Sequence, residues 1–213
     1  MNAPLIPAVH ASAVQTDGGA LIFLGPSGAG KSTICELLSG YAPQIAADVV
    51  YLVPGPDGRW GVADGGRRAY EGPLSAEEAT ALRAIPLRAI FRLFQAPTSR
   101  LRPLGGLETC RYLTDALFEV AWQRDYDLAS KKGLFAHLAA VCRTAPGYEL
   151  YFDLSLAVGQ LLAVALQRKE ENRGREAKKD RVYQTADPRP GRGDAGSGWH
   201  LSRWSEPNGK AGV

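Results

Sequence analysis

Cysteine is scarce in this 213-residue chain. The three present (Cys35, Cys110 and Cys142) are odd in number, far apart, and set in apolar stretches. No CxxC pair or Cys/His cluster with zinc spacing occurs, which argues against a disulfide framework and a structural metal. Buried reduced thiols are the expectation. Long apolar runs are missing too: none approaches the roughly 20 residues that cross a bilayer. The first residues, Met1 to Val14, lack a basic start, an extended apolar core and a small-residue cleavage site. A cytoplasmic protein with no membrane partner is therefore expected. Charge of one sign is also missing, since the net charge is only +3. That excess is too small to argue for nucleic acid without a basic face to carry it.

What is present is 45% hydrophobic residues against 22% charged, a balance that suits a globular protein with a real core. Composition changes sharply near residue 168. Residues 8–167 carry short apolar runs punctuated by Gly, Pro, Asn and Asp and read as one domain. Residues 168–213 run RKEENRGREAKKDR into a Gly/Pro/Arg-rich stretch. Such a segment buries too little apolar surface to offset its backbone entropy and reads as a disordered polar tail. Residues 1–7 read as a flexible arm.

Within the domain, Ala20–Leu24 reads as a buried strand and Lys31–Ser39 as a helix stopped by Gly40. Val49–Val53 and Arg59–Ala63 flank Pro54-Gly55-Pro56-Asp57-Gly58, the pattern of a hairpin with a longer loop. Ser75-Ala76-Glu77-Glu78 has capping-box spacing and opens a helix that should end before Pro86. Arg88–Phe94 and Tyr148–Phe152 read as strands. Leu107–Trp122, Gly133–Arg143 and Leu154–Leu166 read as helices. This order predicts an α/β domain with a mixed sheet.

Gly25-Pro26-Ser27-Gly28-Ala29-Gly30-Lys31-Ser32 satisfies GxxxxGK[ST], entered by a strand and left by a helix. Gly25, Gly28 and Gly30 permit backbone angles that let successive amides converge on one point. That point lies at a helix N-terminus, where unpaired amides and the helix dipole favour an anion. The loop from Gly25 to Thr33 thus predicts a P-loop nucleotide-binding domain that takes ATP. Gly25, Ser27, Gly28, Ala29, Gly30, Lys31, Ser32 and Thr33 would line the phosphates. Lys31 would bridge the β- and γ-phosphates, and the Ser32 hydroxyl would be a ligand of Mg²⁺. Phosphoryl transfer also needs an acidic residue, and Asp48 is the candidate for metal and nucleophile alike. A turn aspartate capping the next strand is an equally good reading of it. His10 lies ahead of the first strand, and a single histidine carries no assignment by itself. Arg88 and Arg92 could reach phosphates, but they also suit the solvated side of a half-buried strand.

The order His10, strand, GPSGAGKST, then Ile45-Ala46-Ala47-Asp48 resembles the catalytic domain of HPr kinase/phosphorylase. It is closer still to the small HPr-kinase-like proteins of bacterial peptide-modification gene clusters. Pro86–Phe91, Gln95-Ala96-Pro97, Leu101–Leu104 and Tyr148–Phe152 strengthen the likeness, which spans residues 9–166. It implies a fold related to phosphoenolpyruvate carboxykinase and a serine kinase using ATP and Mg²⁺ on a peptide or small protein. On that likeness Lys31 and Ser32 carry over, His10 lies near the transferred phosphate, and Asp48 helps hold metal. Two departures stand out. Ala47 occupies the place of an aspartate, and Gly61–Gly66, with Asp64, differs from the usual substrate loop. The first opens a second reading, a nucleotide-binding accessory protein with little or no transfer. An ABC-type ATPase fragment shares the loop, but no LSGGQ-like signature or apolar run ending in Asp-Glu is present. A nucleoside monophosphate kinase would need an arginine-rich lid that is not evident.

Overall fold

The computed structural model describes residues 5–66, 74–121, 127–153 and 162. The proposed tail 168–213 and, apart from Leu162, the proposed helix Leu154–Leu166 lie outside those residues. The chain is α/β with a mixed sheet whose pairings are mostly antiparallel. Its elements are β1 (Leu5–Ile6), β2 (Ala8–Thr16), β3 (Gly19–Leu24), α1 (Lys31–Leu38), β4 (Gln44–Ala46), β5 (Val49–Pro54), β6 (Trp60–Asp64) and β7 (Leu74–Ser75), followed by α2 (Ala76–Thr80), β8 (Ile85–Gln95), β9 (Arg100–Leu104), α3 (Gly106–Ala121), α4 (Leu128–Thr144) and β10 (Gly147–Phe152).

The large sheet runs β3-β2-β5-β6-β8-β10-β9, with β4 beside β2, and β3 also pairs with β8. That extra pairing is parallel, as is β8 with β10. The carboxyl ends of β3, β8 and β10 therefore lie together, the edge where α/β sheets place their ligand crevices. β3 is buried on both faces. Ala20, Ile22 and Leu24 of β3 pack with Leu113, Ala116 and Leu117 of α3. Leu21 and Phe23 of the same strand face Ile34, Cys35 and Leu38 of α1, as the period-2 alternation of a strand requires. On α3, Leu113, Ala116, Leu117 and Val120 recur at helical spacing and form its buried stripe.

Several expectations hold. The hairpin is present as β5 and β6, paired from Val50↔Asp64 to Pro54↔Trp60. Ser75 caps α2 reciprocally with Glu78: the Glu78 amide donates to Ser75 Oγ at 3.2 Å and the Ser75 amide to Glu78 Oε2 at 2.9 Å. That helix ends at Thr80, before Pro86 as expected, and β8 begins at Ile85.

Other expectations are corrected. Leu5 and Ile6 are not part of a flexible arm: they pair with Ser75 and Leu74, and Ile6 is buried. His10 does not precede the first strand but sits within β2. The strand AVHASAVQT escapes pattern reading because six of its nine residues are buried, so apolar and polar residues do not alternate. Arg92 is not on a solvated side. Its Nε is buried, and the guanidinium lies 5.0 Å from the Tyr112 ring centre and 5.7 Å from that of Phe94.

All three cysteines are free thiols, Cys35 buried and the other two half-buried. Burial pushes Cys35 up to about 11. Burial, then the neighbouring Cys110, pushes Cys142 up to about 12. Thiols so held are poor nucleophiles at neutral pH. Among the described residues no helix is long and apolar enough to cross a membrane.

One buried acid organises the far end of the sheet. Glu149 on β10 accepts from Arg102 Nε and Nη2, both at 2.7 Å, and from the hydroxyls of Tyr112 and Tyr151, both at 2.9 Å. Arg102, with help from the two tyrosines, holds its carboxyl at about 2, against an ordinary 4.5. A depressed carboxyl contributes stability that is complete above the ordinary value and fades as pH falls toward the folded one. Over that window the native chain is expected to lose up to about 3 kcal/mol through this group. Glu149→Gln should lower stability at neutral pH and flatten this acid limb, as read from urea midpoints taken across the window.

Candidate active site

The loop that leaves β3 is shaped by its own backbone. Gly30, immediately before α1, has φ 97°, and Gly28 has φ 80°. Both are left-handed values that a residue with a Cβ resists. Gly30 is also tightly packed: a Cβ there would lie 2.6 Å from Cζ of Phe152, at the end of β10. Gln95, at the end of β8, donates from Nε2 to the Gly28 carbonyl at 2.9 Å. Two of the three adjacent strand ends thus support the loop directly. The first helical bond of α1 runs from the Ile34 amide to the Gly30 carbonyl at 2.9 Å. The amides of Lys31, Ser32 and Thr33 precede it and belong to the helix-start set that has no partner within the helix.

A cavity of about 320 Å³ opens over this loop, with Ser27, Gly28, Gly30, Lys31, Ser32 and Thr33 on its wall. His10, Ala47, Asp48 and Gln95 complete its lining. Gly25 and Ala29, both expected at the phosphates, are not in that lining, and both help to shape the loop. The Gly25 carbonyl accepts from Lys31 Nζ at 2.7 Å, and the Ala29 amide donates to the Pro26 carbonyl at 3.1 Å. Lys31 also reaches the Pro26 carbonyl at 3.2 Å. Its side chain is nearly enclosed, and burial lowers its pKa from the ordinary value, opposed by the nearby carboxylates of Glu119 and Asp48 and assisted by the Arg92 charge. An anion in the cavity would reverse that penalty.

Asp48 reaches the site because β2 holds its turn. The Ala11 amide donates to the Asp48 carbonyl at 2.9 Å, and the buried Ser12 hydroxyl donates to the Ala47 carbonyl at 2.5 Å. The Asp48 carboxylate then lies 3.2 Å from Nε2 of His10. Of the two readings left open for Asp48, position at the cavity wall suits the functional one. Asp64, by contrast, is exposed, accepts from the Gly66 amide at 3.0 Å, and is not on the cavity wall.

Ser32 and Asp48, a hydroxyl and a carboxylate, both border the cavity and are hard oxygen donors. Among the described residues no group of three His, Cys, Asp or Glu is arranged to hold a metal. That combination fits Mg²⁺, which takes one or two protein oxygens and completes its shell with phosphates and water.

Sequence reasoning missed two residues of the site. Gln95 has no local signal beyond ending a strand. Glu119 on α3 touches Nδ1 of His10 across 109 positions of sequence. It flanks the buried stripe of α3, where pattern reading sees only a solvated helix face. The chain matches no protein-family model, and no curated protein matches it at a significant level.

Proposed function

We propose that this chain is an HPr-kinase-like P-loop enzyme that transfers the γ-phosphoryl group of ATP to a serine of a peptide or small protein. The reading rests on one observation: the GxxxxGK[ST] loop, Lys31, Ser32, Asp48 and His10 all border the same cavity. The amides at the start of α1 bind phosphate oxygens. Lys31 leaves its loop carbonyls to meet the β- and γ-phosphates, where its charge stabilises the group in flight. Ser32 and Asp48 would hold Mg²⁺, which would neutralise charge building on the phosphates. The acceptor hydroxyl enters from the side of His10 and Asp48, so that attack is positioned rather than forced.

The test is calorimetric titration with Mg-ATP, followed by [γ-³²P]ATP labelling of a serine-peptide pool and an alanine-substituted control pool. Saturable binding with label on the serine pool alone is expected. Absence of Mg-ATP binding would end the proposal. Asp48→Asn should raise the Mg²⁺ concentration for half-maximal rate by at least about 10-fold. Ala47 supports a second reading, because it lines the cavity without a carboxylate. Tight Mg-ATP binding with no label on any peptide would favour a nucleotide-binding accessory protein.

A further inference from the structure

A kinase with alanine at residue 47 needs another group to take the serine proton. Ala47 presents no carboxylate to the cavity, yet the histidine on the same wall is bracketed by two. Nε2 of His10 faces Asp48, and Nδ1 contacts Oε2 of Glu119. The two carboxylates have different settings. Asp48 is 61% exposed, whereas Glu119 is 35% exposed on a helix whose next residue, Val120, is buried against Ile6 and Ala8. His10 itself is only 18% exposed and is fixed by the pairing of β2 with β5.

We propose that His10 is the proton acceptor in phosphoryl transfer, and that Glu119 is a positioning residue holding it in the Nδ1–H form, the pair replacing the carboxylate absent at residue 47. This rests on the kinase reading above. An ionised carboxylate only accepts hydrogen bonds, so the contact of Glu119 with Nδ1 requires a proton there; Asp48 asks the same of Nε2, whose lone pair is exposed only once Asp48 has turned away. Asp48 covers Nε2, and its rotation away opens that nitrogen to the cavity. In the transfer step the serine Oγ–phosphorus bond forms as the bond from phosphorus to the bridging oxygen breaks. ADP leaves with that electron pair, the hydroxyl proton passes to Nε2, and the ring's positive charge rests against Glu119. The Lys31 charge is felt across the same site: Glu119 and Asp48 favour it and Arg92 opposes it.

Two measurements on the full chain test the assignment. In Asp48→Ala protein, which uncovers Nε2, two-bond ¹H–¹⁵N spectra of His10 should show the proton on Nδ1. Adding Glu119→Leu should move it to Nε2, the form an unconstrained histidine favours. In kinetics, Glu119→Gln should lower kcat about 10- to 100-fold with KM for Mg-ATP unchanged, the usual cost of losing a histidine-orienting partner. Glu119→Asp should recover part of the loss, and His10→Gln should cost about 100-fold or more. A wild-type kcat in Glu119→Gln, or a ring proton on Nε2 whatever residue 119 is, would overturn the inference. If the wild type binds no Mg-ATP, the kinase reading fails by itself, and the spectra still decide whether Glu119 sets the tautomer.

Discussion

Lys31→Met is expected to lower kcat/KM for phosphoryl transfer about 10³- to 10⁵-fold, the range a cation on the transferred group commands. Mg-ATP affinity should fall less, by about 1.5–3 kcal/mol or roughly 10- to 150-fold, because the loop amides still bind phosphate. The two numbers should separate because the lysine charge matters most where negative charge accumulates, late in transfer. Methionine is chosen to keep the volume of a side chain that is only 8% exposed. Stability should change by less than about 1 kcal/mol: two hydrogen bonds to Gly25 and Pro26 are lost, but so is a charge that burial disfavours. Thermal unfolding alongside calorimetry and single-turnover labelling checks all three. Unchanged Mg-ATP affinity and turnover would remove the loop from any account of this protein.

Gly30→Ala is expected to damage both fold and site. Two costs arise at once. A residue with a Cβ must hold φ near 97°, which costs about 1–3 kcal/mol. The new methyl also stands 2.6 Å from Phe152, and overpacking of that kind costs typically another 1–3 kcal/mol. Phe152 is 2% exposed and packs among Phe23, Phe91 and Leu150, so it has little space to retreat. The loop is then displaced toward the cavity, and Mg-ATP binding should become undetectable by calorimetry. A second substitution separates the terms. Phe152→Leu in the Gly30→Ala background should recover the packing share of stability but not the dihedral share. Full recovery would show that left-handed geometry at residue 30 is not required.

The legible parts of this chain were those whose signal is local. The GPSGAGKST loop fits within nine residues, Ser75 and Glu78 stand three apart, and the Pro54–Gly58 turn announces its hairpin. Each is set by neighbouring residues competing for the same backbone groups. The missed elements depend on partners far away. Leu5 and Ile6 become a strand only because Leu74 and Ser75 meet them. Arg100–Leu104, with two arginines and a proline, has the composition of a loop and becomes β9 by pairing with β10. His10 and Asp48 stand out in the sequence only separately, and the contact between them depends on β2 holding the Ala47–Asp48 turn. Glu119 could not be reached at all, because only the packing of α3 on β2 brings it to the histidine.

β9 closes the path of the sheet with one flank turned away from β10, and its character there bears on how the protein behaves when concentrated. Pro103 lacks the amide that a neighbouring chain would need, and Arg100 is exposed while Arg102 is half so. Another copy approaching in register would meet like charge and a gap in its hydrogen-bond ladder. Crowded solutions of this chain should therefore resist strand-to-strand polymerisation at that border, and Pro103→Val with Arg100→Thr is the change that would invite it.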